Sequence, residues 1–156
     1  MASKVNPVPE GFHTATPYMI IKGAAEAIEF YKKAFGATEL TRHADPGGKV
    51  RHAEIKIGDS HVMLADECPE MGYRSAQAVG DTPVSLMLYV QDADEVVKKA
   101  VAGDARVLQP VKDQFYGDRS GNIQDPFGHK WTIATHKEDV PPEELKKRAA
   151  ALFAQH

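Results

Sequence analysis

The sequence predicts an α+β protein: two βαβββ modules forming a cup-shaped mixed sheet with helices on its outer face. Three observations lead there. The order strand, helix, about three strands occurs twice along the chain. An offset of 66–69 residues lays Lys32-Lys33-Ala34 on Lys98-Lys99-Ala100, Gly36 on Gly103, and Val62-Met63-Leu64 on Trp131-Thr132-Ile133, the mark of an internal duplication. Each half also has one helix for one sheet, so a second sheet face is left to line a concave groove of the kind that holds a small ligand.

The elements follow in order. Residues 1–13, with Pro7, Pro9 and Gly11, read as a flexible N-terminal arm, and the first module spans 14–66. Thr14–Lys22 is rich in strand formers, and Pro17 marks an edge strand or a strand start. Ala24, Ala27, Ile28, Tyr31, Ala34 and Phe35 recur at helical spacing, and Gly36 ends the helix. A strand at about 38–43 is followed by the turn Asp45-Pro46-Gly47-Gly48. Next come alternating runs at 50–57 and 60–66, joined at Gly58-Asp59 as an antiparallel meander. Residues 67–82, with Pro69, Gly72 and Gly80, read as a linker. The second module spans 83–136: a strand at 83–90, then a helical stripe of Ala93, Val96, Val97, Ala100 and Val101. Asp92 or Asp94 caps that helix and Gly103 ends it. Strands follow at about 105–111, 119–125 and 130–136, with Trp131 turned to the core. In 137–156, prolines and acids before Lys146-Lys147-Arg148 signal a C-terminal helix.

Composition narrows the function. The chain has 156 residues, 42% of them hydrophobic, enough for a core without disulfides or structural metal. Nineteen basic against twenty-two acidic side chains give a formal charge of −3, which does not suit a phosphate-backbone binder. No nucleic-acid partner is expected. The single cysteine, Cys68, reads as structural or incidental and suits a reducing compartment. No signal peptide or apolar run of membrane length is seen, so a cytoplasmic protein with no membrane partner is expected. Phosphate-loop, dinucleotide and nucleophile-elbow motifs are missing, and nothing supports a nucleotide, flavin or S-adenosylmethionine site.

The segments Thr16-Pro17-Tyr18, Ala27-Ile28-Glu29-Phe30-Tyr31-Lys32-Lys33-Ala34-Phe35-Gly36-Ala37, and Tyr116-Gly117-Asp118-Arg119 through Asp125-Pro126-Phe127-Gly128-His129-Lys130-Trp131 carry a resemblance. Over about residues 14–136 the chain resembles the vicinal-oxygen-chelate superfamily of glyoxalases, bleomycin-resistance proteins and extradiol dioxygenases, in its PhnB-like branch. The resemblance implies paired βαβββ modules, a homodimer and, in members that catalyse, one divalent metal in the cup. The metal-ligand places of that family fall on Thr16, Met63, Ser85 and Thr132. Hydroxyls and a thioether do not offset a cation's lost hydration, so the expected cofactor is none.

By alternation from those places, Thr16, Tyr18, Met63, Ser85, Met87, Tyr89 and Thr132 face the groove, with the Tyr116–Arg119 loop beside it. Aromatic rings, methionines and a few hydroxyls suit an organic ligand. Arg119 either clamps a ligand carboxylate or pairs with Asp118 or Asp125 to hold its loop. The leading expectation is a metal-free protein of the bleomycin-resistance type that binds or sequesters a small aromatic or amphipathic molecule. The alternative is a glyoxalase-like lyase or isomerase, or a dioxygenase, with one divalent metal on His52, Glu54 and His61. Those three can equally form a solvated face paired with Arg51 or Lys56. His136 is a further ligand candidate at the groove mouth, while His43 and His129 sit beside turns at the surface.

Overall fold

The computed structural model describes residues 5–155. The chain divides into two compact units, one ending at Asp81 and the other beginning at Thr82. The first unit holds β1 (Tyr18–Ile21), α1 (Ala24–Phe35), β2 (Thr38–Ala44), β3 (Val50–Ile57), β4 (Ser60–Asp66) and a short α2 (Ala76–Val79). The second holds β5 (Ser85–Tyr89), α3 (Ala93–Ala102), β6 (Arg106–Asp113), β7 (Asp118–Gln124), β8 (Lys130–His136) and α4 (Pro142–Phe153). The sheets are four-stranded, ordered β1-β4-β3-β2 and β5-β8-β7-β6, and neither closes on itself. In each, the first strand runs parallel to the last and the other pairs are antiparallel. This is the α+β pattern of strand, helix and three strands, made twice.

Alternation sorts each sheet into two faces. In the first unit Met19, Ile21, Ala53, Ile55, Ile57, Val62 and Leu64 are buried, together with the α1 stripe of Ala27, Ile28, Tyr31 and Ala34. Tyr31 and Phe35 stack with ring centroids 5.7 Å apart. In the second unit Val97 and Ala100 of α3 are buried along with Ile123, Trp131 and Ile133. The first strand is shorter than its composition suggests. Pro17 has no N–H for a ladder, yet its carbonyl still accepts Met63 N–H at 3.0 Å.

The two units fix their helices in matching ways. Asp66, the last residue of β4, accepts the N–H groups of Gly23 and Ala24 on Oδ1 at 3.0 and 2.9 Å, and that of Val50 on Oδ2 at 2.7 Å. Sixty-nine residues on, Thr135 Oγ1 accepts Ala93 N–H at 2.9 Å. A polar side chain at the end of each fourth strand thus satisfies an amide that the helix leaves unpaired. Asp92, not Asp94, caps α3, through Glu95 N–H at 3.1 Å. The Asp-Pro-Phe-Gly-His turn is likewise structural. Buried Asp125 accepts Phe127 and His129 N–H on Oδ1 at 2.9 and 3.0 Å, and the Trp131 indole N–H on Oδ2 at 2.9 Å.

Two segments depart from expectation. Residues 67–82 are not a bare linker: a 3₁₀ turn at Pro69–Met71, a bridge between Cys68 and Tyr73, and α2 fold onto the first unit. Ser75 anchors them, fully buried, donating its hydroxyl to Glu67 Oε2 at 2.7 Å and accepting Ala78 N–H at 3.1 Å. Of the expected flexible arm, residues 1–4 lie outside the described residues. Its far end is held, because Phe12 stacks on His61 with centroids 4.1 Å apart. His156 also lies outside the described residues; the rest of the C-terminal helix docks on its own unit. Arg148 donates to the Phe115 carbonyl at 3.3 Å and the Phe115 and Phe153 rings meet edge-on at 6.2 Å.

Asp66→Ala strands three backbone donors and should cost about 2–4 kcal/mol, whereas Thr135→Val strands one and should cost about 1 kcal/mol. Urea unfolding of the two variants beside the parent chain measures this ratio.

Candidate functional site

α1 and α3 each pack on one face of their sheet and leave the opposite face to shorter segments and side-chain networks. On the first unit's open face, Tyr18 of β1 lies opposite Met63 of β4, which lies opposite Glu54 of β3. Tyr18 Oη is 2.9 Å from His52 Nδ1, and the His43 and His52 rings stack at 6.3 Å. His61 Nδ1 donates to Glu54 Oε1 at 2.9 Å, both side chains being largely shielded, with 12% and 15% exposure. Phe12 covers the other side of the His61 ring. His52, Glu54 and His61 therefore share a face but split into two pairs. Among the described residues no group of three His, Cys, Asp or Glu side chains is placed to hold a metal ion.

At the strand end of this face lies a cavity of about 570 Å³, lined by Tyr18, Ile20, Arg51, Ala65, Asp66, Cys68, Met71 and Tyr73. Its size falls within the ~300–1,000 Å³ of small-molecule sites. Strict alternation would send Arg51 to the helix side with Ala53 and Ile55. The pairing skips a residue there, with His43 opposite His52 and Ala44 opposite Val50. Arg51 is the extra residue of a β-bulge, and it reaches the cavity while holding Asp45 at 2.7 Å. Asp66 spends its oxygens on backbone amides, so Arg51 is the cavity's charged donor. Burial, and then the neighbouring Tyr73, push the Tyr18 phenol above its ordinary range. Met71 and Tyr73 sit in the segment expected to be a linker. The signal available in the sequence was the pairing of large apolar side chains with Pro69 and Gly72, which a featureless connection does not need.

On the second unit's open face, Met87 lies opposite Thr132, and Thr132 lies opposite Asn122. Ser85 and Tyr89 flank Met87 along β5, all three being exposed. Thr132 Oγ1 donates to Asn122 Oδ1 at 2.8 Å, and Asn122 Nδ2 donates to Gln109 Oε1 at 3.0 Å. Tyr89 Oη donates to Asp118 Oδ2 at 2.9 Å, while Asp118 Oδ1 receives His136 Nδ1 at 2.7 Å and Asp139 Oδ1 receives His136 Nε2 at 2.7 Å. The bond to Asp118 lifts the Tyr89 phenol, and the bonds to Asp118 and then Asp139 lift the His136 imidazole. Gly117 makes room for this corner: at φ 100° a Cβ there would run into the Glu138 carbonyl. Gly117's own carbonyl accepts Lys137 and Glu138 N–H at 2.9 and 3.0 Å.

Arg119 points elsewhere. It holds Asp94 of α3 through Nε at 2.7 Å and Nη2 at 3.1 Å, and Asp113 at 3.2 Å, with neither Asp118 nor Asp125 as its acid. Its strand partner is Thr135, on the helix side. The structure thus ties Arg119 to the helix rather than to Tyr89 and Met87. Tyr116 meets Phe115 edge-on at 5.2 Å in the preceding loop, and Thr16 is half-buried ahead of β1. The places that correspond to the superfamily's metal ligands hold a thioether and hydroxyls, and the Thr132 proton is directed at Asn122. That donor set does not fit a divalent cation.

Residues 12–133 match the family described as the Glyoxalase/Bleomycin resistance protein/Dioxygenase superfamily, and the chain belongs to it. An uncharacterized protein of Mycobacterium bovis is 40% identical over 143 residues, covering 90% of this chain and 92% of the relative. A crystal structure of an Arabidopsis thaliana gene product superposes with a TM-score of 0.65 at 26% identity, over 79% of this chain and 98% of that one. A PhnB protein of Bacillus cereus shares the fold, with a TM-score of 0.60 at 22% identity over 79% of this chain and 99% of that one. Among the described residues no helix is long and apolar enough to cross a membrane.

Raising the His136 pKa above its ordinary 6.5 has a fixed sign. Its contribution to stability is complete below the unfolded value and fades as pH rises through the higher folded value. An NMR titration should place the His136 ring above free imidazole, and His136→Asn should flatten that alkaline part of the stability profile.

Proposed function

We propose that the protein is a receptor that binds or sequesters a small aromatic or amphipathic molecule, as bleomycin-resistance proteins do, and works without a metal. The observation that carries this is the first unit's cavity. Two tyrosines, Met71, Ile20 and Ala65 give an apolar lining, and Arg51 gives a single cationic anchor. Binding draws on the ligand's apolar area at about 25 cal/mol per Å², offset by the cost of fixing the ligand, while Arg51 and the tyrosine hydroxyls orient it. We further propose a cytoplasmic homodimer as its working form, which light scattering and cell fractionation test.

A second reading is favoured by one feature, the shielded Glu54–His61 pair on the same face. It would make the protein a metal-dependent lyase, isomerase or dioxygenase. Elemental analysis of untagged protein separates the two: stoichiometric metal that is lost in His61→Ala supports the enzyme.

A thermal-shift and tyrosine-quenching screen against aromatic metabolites and antibiotics should yield ligands of the parent chain. Tyr18→Ala and Tyr73→Ala should weaken them about tenfold or more, by analogy with aromatic anchors at binding sites. Chelator treatment should leave the affinity unchanged. A folded protein with no hits overturns the receptor reading, and a chelator-sensitive affinity overturns its metal-free part.

A further inference from the structure

The polar groups of the first unit's cavity divide by role. Its acid, Asp66, has both oxygens turned to backbone amides, those of Gly23, Ala24 and Val50 at 3.0, 2.9 and 2.7 Å. Its base, Arg51, is only half engaged. Both of its bonds to Asp45 run to the one oxygen Oδ2, from Nε at 3.0 Å and from Nη2 at 2.7 Å. A guanidinium carries five N–H groups in a rigid fork, and Asp45 occupies one edge of it. The other edge, Nη1 with the second N–H of Nη2, has no partner among the described residues. Two parallel donors held in one plane match the two oxygens of a carboxylate. Glu70, a further acid nearby, is exposed to solvent and takes the Cys68 thiol at 3.3 Å. Beside Arg51 the cavity is lined by large side chains that the fold leaves uncovered: Tyr18 is 50%, Tyr73 48% and Met71 70% exposed. Side chains of that size gathered bare around one hollow mark a place to be filled.

We infer that this cavity takes an aromatic carboxylate, its ring among Tyr18, Met71 and Tyr73 and its two oxygens on the free edge of Arg51, and that it turns away the corresponding amine. An ammonium brings protons to a cavity whose own carboxylate is already taken up by amides, and it meets the guanidinium as a like charge. The β-bulge at Arg51 is then what sets specificity, because in regular register this side chain would lie on the helix side. The inference rests on the reading of the protein as a small-molecule receptor and adds the ligand's head group.

Three probes with one skeleton test it on the untagged full chain: 2-naphthoate, 2-naphthylmethylamine and 2-methylnaphthalene, titrated at neutral pH with the methionine methyl groups as the NMR signal. Met71 reports the cavity, Met87 reports the second unit's open face, and buried Met19 reports an intact fold. Naphthoate should move the Met71 signal and bind there at least about tenfold more tightly than the amine, the ratio that one well-made charge-assisted contact gives. Arg51→Met should bring naphthoate down to the level of the hydrocarbon. Arg51→Lys keeps a charge for Asp45 but has no fork, so it should lose most of the same margin, and it gives a separate reading should Arg51→Met fail to fold. Equal or tighter binding of the amine at Met71, or a naphthoate affinity indifferent to either variant, overturns the inference and leaves the receptor reading standing. Movement of Met71 by the hydrocarbon alone does the same. No movement of Met71 by any probe in folded protein overturns both.

Discussion

A long helix packed on a four-stranded sheet can bury only one of its faces, and this constraint shapes the rest of the molecule. In the first unit α1 covers Ile21, Ile55 and Leu64; in the second, α3 covers its own side of the sheet, where Trp131 and Ile133 are buried. Each helix is held at its first turn by a side chain from the end of the fourth strand, Asp66 or Thr135. The uncovered faces cannot be apolar throughout without inviting aggregation, and their polar groups are not left loose. They bond to one another in short chains: Tyr18 with His52, Glu54 with His61, Tyr89 with Asp118 and His136, and Thr132 with Asn122 and Gln109.

Those chains decide what the faces can offer a ligand. A hydroxyl that has given its proton away is an acceptor whatever the residue type alone would allow, and the acids on either side of His136 favour its charged form. The duplication makes this visible. Thr16 corresponds to Ser85, Tyr18 to Met87 and Met63 to Thr132 at one offset. The anchoring position keeps its task in both halves, while on the open faces Tyr18 and Met63 are matched by Met87 and Thr132, side chains of different chemistry. The core tolerates little variation in volume, and the open face answers only to its neighbours and its ligand.

Membership of the glyoxalase and bleomycin-resistance superfamily fits this division. The scaffold persists in a Bacillus cereus PhnB protein at 22% identity, because burial and strand pairing fix it. On such a shared scaffold, function is carried by the residues of a site and not by the fold itself. Met63 and the hydroxyl residues Thr16, Ser85 and Thr132 stand at the places where the resemblance expects metal ligands, and the first unit has a cavity between its sheet and the Cys68–Tyr73 segment.

The sequence by itself determined the element order, the duplication, the stripe of α1 and the burial of Trp131, since periodicity and breaker residues are local signals. It also grouped Tyr18 with Met63, and Met87 with Tyr89, since alternation along a strand says which residues share a face. Alternation does not say which side chains on that face touch. The bulge that sends Arg51 to the cavity, the pairing of Arg119 with Asp94, and the folding of residues 67–82 around buried Ser75 depend on register and on contacts between distant segments. So does the separation of His52 from the Glu54–His61 pair. Only the tertiary structure decided these, because a hydrogen bond is fixed by what the fold brings within about 3 Å, and spacing along the chain carries no record of that distance.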